Sequence, residues 1–126
     1  MKYEFHEGKV TTELGFGTLN ISSDDTKGFR PFQLLVSSVA ACSGAVFKRV
    51  LEKRRIDYDS FTIDASVERN EKQANRIEII QLIFKVSGQD LNREQLEKSL
   101  AISSRNCAMV RSVKDSIKIV EKIELV

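Results

Sequence analysis

Apolar and polar residues alternate with a period of two in three separate stretches, the pattern of strands that put one face into a core. In the first, Phe61, Ile63, Ala65 and Val67 alternate with Thr62, Asp64, Ser66 and Glu68. In the second, Ile80, Leu82, Phe84 and Val86 share one face, while Ile79 and Ile83 on the other hint at burial from both sides. The polar run from Asn70 to Asn75 joins these two as a hairpin. In the third, Ile117, Ile119, Ile123 and Leu125 close the chain. Shorter strands are expected between Lys2 and Ile21, broken by Gly8, Gly15 and Gly17, with a polar loop from Ser22 to Gly28.

Between these stretches the period changes to that of helices. Pro31 opens a long helix that runs to about Arg55, because a proline at the first helical position gives up an N–H that has no partner there anyway. Its first half, Leu34 to Val46, is apolar almost all round, interrupted only by Ser37, Ser38 and Ser43. Such a surface must be covered on every side. Its second half carries one stripe, Phe47, Val50 and Leu51, against Lys48, Arg49, Glu52, Lys53, Arg54 and Arg55. The pattern therefore predicts a first half sunk in a core and a second half that emerges, with a second copy of the chain supplying part of the cover. A second helix spans Asp90 to Ser104, with Asn92 as its cap, Gln95 three residues on, and Leu91 and Leu96 placed as a hydrophobic staple. Asn106 is expected to cap a short third helix through Cys107, Val110 and Val113. The order is strands, long helix, two strands, two helices, strand: an α+β fold with antiparallel sheet packed on helices.

The chain has 126 residues, enough for one domain with a single modest core, 1–126. Its net charge of +2 offers no footprint for nucleic acid or an anionic membrane, so neither is expected as a partner. No uninterrupted run of 18 apolar residues exists, so no membrane-spanning helix is expected. The first ten residues carry Glu4, His6 and Glu7 and lack the apolar centre of a signal peptide, which makes the cytoplasm the expected location. A closed zinc site wants four Cys or His ligands, and two Cys with one His fall short, so no metal or other cofactor is expected. His6 reads as a solvated surface histidine without a partner.

In a cytoplasmic chain a pair of cysteines is more often buried, metal-binding or catalytic than a structural disulfide. Cys42, on the apolar half of the long helix, reads by itself as an inert core thiol whose burial raises its pKa unless a cation is close. Cys107 has the better local chemistry. It sits at the start of a helix, between Arg105 and Arg111, where unpaired N–H groups favour a thiolate. Spacing alone does not say whether the two sulfurs meet.

Two segments carry a resemblance. Arg30 to Cys42, Arg-Pro-Phe-Gln-Leu-Leu-Val-Ser-Ser-Val-Ala-Ala-Cys, resembles the hallmark of the OsmC/Ohr family, a proline followed by an apolar pair and a small-residue run ending in cysteine. Asn106 to Ser112, Asn-Cys-Ala-Met-Val-Arg-Ser, resembles that family's Cys-Pro-x-Ser-Arg/Lys segment. The resemblance extends over essentially the whole chain. It implies an intertwined homodimer in which antiparallel sheets wrap around long central helices. It also implies a thiol-dependent peroxidase that reduces organic hydroperoxides at the expense of a dithiol reductant. By position, Cys42 matches the attacking cysteine and Cys107 the resolving one, reversing the local ranking.

The departures are specific. Phe32 stands where the family's peroxidases usually carry Glu, while Gln33 matches a common family residue. Ala108 stands where proline is usual. No arginine precedes Arg30, which is left to take the part of the family's N-terminal catalytic arginine. Phe32, Gln33 and Arg111 are the candidate substrate-binding residues. The competing expectation, favoured by Phe32, is a non-enzymatic protein of the same fold that holds an apolar small molecule at the dimer interface. A third is a structural protein with two idle cysteines.

Overall fold

The computed structural model describes residues 1–126, which divide into two compact units, Met1–Ser37 and Ser38–Val126. In the first, β1 (Tyr3–His6), β2 (Lys9–Glu13) and β3 (Thr18–Ile21) form an antiparallel sheet in chain order. Leu14 and Gly17 exchange backbone hydrogen bonds of 2.9 and 3.0 Å, which closes the second hairpin and leaves Phe16 at its tip in solvent. Gly28 passes so close to β3 that a Cβ there would lie 2.8 Å from the Asn20 carbonyl, so only glycine fits. His6 is exposed as expected, yet it does have a partner: Thr11 Oγ1 lies 3.0 Å from its Nε2.

The long helix α1 (Pro31–Lys53) starts at the proline, as the sequence predicts. It ends where Arg55 turns to a φ of 55°. Its burial is one-sided in the single chain. Within one chain the buried positions are Val39, Ser43, Gly44, Val46, Phe47 and Leu51, while Leu35, Ala41 and Ala45 on the first, more apolar half face solvent. By length and composition α1 is also apolar enough to cross a membrane, a test that core helices pass as well. The sequence expectation, which required an unbroken run of 18 apolar residues, missed this because scattered serines are compatible with a high average.

In Ser38–Val126, β4 (Ser60–Asn70) and β5 (Arg76–Ser87) form the predicted antiparallel hairpin. The closing strand β6 (Lys118–Leu125) joins β5 in parallel, so this sheet is mixed rather than purely antiparallel. A parallel neighbour needs a crossover, and α2 (Arg93–Asn106) with α3 (Ala108–Val113) provides it. The even-numbered face of β5, Ile80, Leu82, Phe84 and Val86, is wholly buried, while Ile79 and Ile83 are half-buried in the single chain. Phe47 of α1 packs edge-on against Phe61 and Phe84, with ring centroids 5.3 and 5.0 Å apart. Gly44 brings the helix down onto β4, since a Cβ there would lie 2.9 Å from the Ile63 methyl.

Polar ties then fix the helices in place. Arg54, just past α1, donates to the Gln95 carbonyl and to Ser99 Oγ of α2, at 3.1 and 2.7 Å. Arg93 donates to the Ile123 carbonyl of β6 at 2.9 Å. Ser43 Oγ donates to Glu121 of β6 at 2.8 Å. Asn92 caps α2 as predicted, its Oδ1 accepting from the Gln95 N–H at 3.0 Å. The cap of α3 is Cys107, not Asn106. The second helix runs two residues further than expected, and Asn106 ends it by donating back to the Ile102 carbonyl at 2.8 Å. The class is α+β, with two three-stranded sheets and three helices.

Candidate active site around two cysteines

The second unit brings Cys42 and Cys107 together. Cys42 is half-exposed, one residue ahead of the buried Ser43 that ties α1 to β6. Cys107 is wholly buried at the joint between α2 and α3, below Ser99 and Ser103 on the same face of α2. These two serines are small and spend their hydroxyls on the carbonyls one turn back, at 2.8 Å each. A polar side chain is thus buried there without an unmet hydrogen bond. At Cys107 the backbone is extended, φ −88° and ψ 115°, and α3 begins immediately after.

The two thiols are not joined in a disulfide, and each shifts the pKa of the other. The Cys42 pKa is lowered from the ordinary thiol value of 9.0. The largest cause is the backbone N–H of Met109, which donates to the sulfur; partial burial opposes it. The Cys107 thiol, the backbone N–H of Ala108 and the Arg49 charge add to the lowering, in that order. The Cys107 pKa is raised, mainly because burial penalises its charged form, and further by its hydrogen bond to Cys42 and the charge there. The two shifts agree in sense: the pair favours a thiolate on Cys42 and a thiol on Cys107.

The ranking by local sequence is therefore inverted. Cys107 looked reactive because it lies at a helix start between two arginines, but it is the cap itself and has no exposed surface. Cys42 looked inert because its helix is apolar. Yet that side of the helix is open to solvent and meets the amides of α3. Three contributors went unread: Arg49 and the N–H groups of Ala108 and Met109. Arg49 stands seven residues, two helical turns, after Cys42, a spacing that could have flagged it. The amides leave no trace in the sequence, because every residue but proline has one.

The remaining candidates fall elsewhere. Arg30 and Phe32 meet in the first unit, the guanidinium 4.9 Å from the ring centroid, a cation–π contact. Gln33 is exposed. Arg111 is exposed on α3 and donates to the Arg105 carbonyl at 3.4 Å, turned to the C-terminal end of α2. No group of three or more His, Cys, Asp or Glu side chains is gathered as metal ligands would be.

The family model for OsmC-like proteins matches residues 23–122, a span that holds both cysteines. The chain belongs to the OsmC-like family. Solved structures agree on the fold. A hypothetical protein from Aquifex aeolicus VF5 superposes with a TM-score of 0.86 at 23% identity, covering 99% of this chain and 93% of that one. An OsmC-like protein from Mycoplasma pneumoniae gives 0.84 at 17% identity, covering 100% and 98%. The organic hydroperoxide resistance protein OhrB of Bacillus subtilis gives 0.69 at 20% identity, covering 99% and 95%. No curated protein matches this OsmC-like chain in sequence.

Proposed function

We propose that this OsmC-like protein is a cytoplasmic, thiol-dependent peroxidase that reduces organic hydroperoxides through Cys42 and Cys107. One observation carries the reading: the half-exposed Cys42 is held toward thiolate by N–H donors and by the thiol of its buried partner. A low-pKa, accessible sulfur beside a resolving thiol is the arrangement that peroxide reduction needs. The Cys42 thiolate attacks the terminal peroxide oxygen, the O–O bond breaks, and the organic fragment leaves as alkoxide and takes up a proton. Cys42 is now a sulfenic acid. The Cys107 sulfur, giving up its proton, attacks the Cys42 sulfur; the S–O bond breaks, water leaves and a disulfide forms. An external dithiol then reduces the disulfide by exchange, supplying the two electrons that the peroxide consumed. That each thiol shifts the other's pKa supports a pair close enough to form a disulfide of about 2.05 Å.

The chain is read as one domain that works as a homodimer. Support comes from the apolar first half of α1, where Leu35 is 37% exposed and Ala41 and Ala45 face solvent. A second copy would cover this face, and Leu35→Lys should shift sedimentation toward monomer. The parts of Arg30, Phe32, Gln33 and Arg111 rest on the resemblance alone.

The test uses tert-butyl hydroperoxide with dithiothreitol. Cys42→Ser should abolish turnover. Cys107→Ser should leave a sulfenic acid on Cys42 that dimedone traps. Failure of the wild type to consume any organic hydroperoxide refutes the reading. A second reading, a non-enzymatic carrier of an apolar molecule, is favoured by Phe32 at the usual carboxylate position. A co-purified ligand by intact mass, with both thiols inert to peroxide, would establish it instead.

A further inference from the structure

Two clefts flank β6, and their charges differ. The larger, about 530 Å³ between α2 and β6, sets Arg93 and Lys122 against Glu97 and Glu121. Its charges balance and are partly spent: Arg93 lies 3.9 Å from Glu97, and Glu121 accepts from Ser43. The smaller, about 340 Å³, lies where the end of α2, the length of α3 and the start of β6 converge. Arg105, Arg111, Lys114 and Lys118 line it above an apolar floor of Val110 and Ile119, and no carboxylate lines it.

Four positive charges thus face one cleft in a chain whose net charge is only +2. None of the four is in an ion pair. The acids nearest in sequence do not relieve them. Asp115 and Glu121 both lie outside the lining, and Glu121 accepts from Ser43 at 2.8 Å. Uncompensated like charges repel at this range, and a bound anion would remove that repulsion. Two guanidiniums offer forked donors matched to phosphate oxygens, and two ammonium groups add mobile point charges. The space equals roughly eleven water volumes at about 30 Å³ each, which is enough for a compact anion of pyrophosphate size.

We propose that this cleft binds a small phosphorylated anion. The probe is inorganic pyrophosphate, titrated calorimetrically at fixed ionic strength, because screening would otherwise mimic weak binding. One saturable site per chain is expected. Lys114→Glu with Lys118→Glu should weaken it at least about tenfold through lost charge-assisted contacts, whereas Lys122→Gln in the larger cleft should leave it unchanged. Circular dichroism establishes that the variants fold. No saturable heat at millimolar pyrophosphate overturns the proposal, and so does equal weakening by Lys122→Gln. Tight binding of a double-stranded oligonucleotide without pyrophosphate binding also overturns it, by making the patch a nucleic-acid surface. Peroxidase turnover does not enter the readout, so the two proposals stand or fall separately.

Discussion

Replacing Ala108 by proline removes one hydrogen-bond donor from the Cys42 sulfur and disturbs little else. Ala108 is the first residue of α3, where proline is favoured, and its N–H makes no backbone bond. The residue before a proline must be extended, and Cys107 at φ −88° and ψ 115° already is. The variant should therefore fold, with a melting temperature equal to or above that of the wild type. The change falls on Cys42, whose thiolate accepts that N–H. A hydrogen bond to a charged group contributes about 1.5–3 kcal/mol. Ala108 ranks below Met109 and Cys107 among the donors, and water reaches this half-exposed sulfur, so about half the lower bound to the whole of it, ~0.7–1.5 kcal/mol, is reasonable. That is about a three- to tenfold smaller thiolate fraction below the midpoint. The assay is the pH profile of iodoacetamide alkylation with peptide mapping, which separates Cys42 from Cys107. Midpoints are the right readout, since a more basic thiolate is also a better nucleophile and masks part of the loss in rate. The Cys42 midpoint should move to higher pH in Ala108→Pro and stay put in Ala108→Gly, which keeps the N–H. A folded proline variant with an unmoved or lower midpoint would refute the claim that this amide holds the thiolate.

Three further outcomes follow from the same contacts. Stability against urea should depend on pH through both thiols with opposite signs: the depressed Cys42 pKa adds stability as pH rises from its folded midpoint to the unfolded thiol value of 9.0, and the raised Cys107 pKa takes stability away as pH climbs through the folded Cys107 midpoint. Cys42→Ala should remove the rise, and a profile unchanged by it would contradict the assignment. Phe47→Ala should cost about 3–5 kcal/mol in urea unfolding, because Phe47 has no exposed surface and joins Phe61 and Phe84; a loss below about 1 kcal/mol would show that α1 is not anchored there. Asn92→Ala should cost about 1 kcal/mol through the lost cap to Gln95, read by the same method.

Much of the fold was legible because it rests on short-range rules. Pro31 starts a helix through its own ring, Asn92 caps one through a side chain three residues from its target, and the alternation in β4 and β5 follows from the pleat. The two motifs carried the family. What stayed hidden depended on long-range pairing. The parallel seat of β6 beside β5 is set by the crossover path, and the one-sided burial of α1 by the residues that meet β4 and β5.

The cysteines show the division most sharply. The sequence by itself determined that there are two, that Cys42 lies on an apolar helix, and that Cys107 lies at a helix junction. Only the tertiary structure decided which sulfur is favoured as thiolate. A thiol's pKa is set by the donors, charges and solvent within a few ångströms of it. For Cys42 the donors come from Met109, Ala108 and Cys107, more than sixty positions away in the chain.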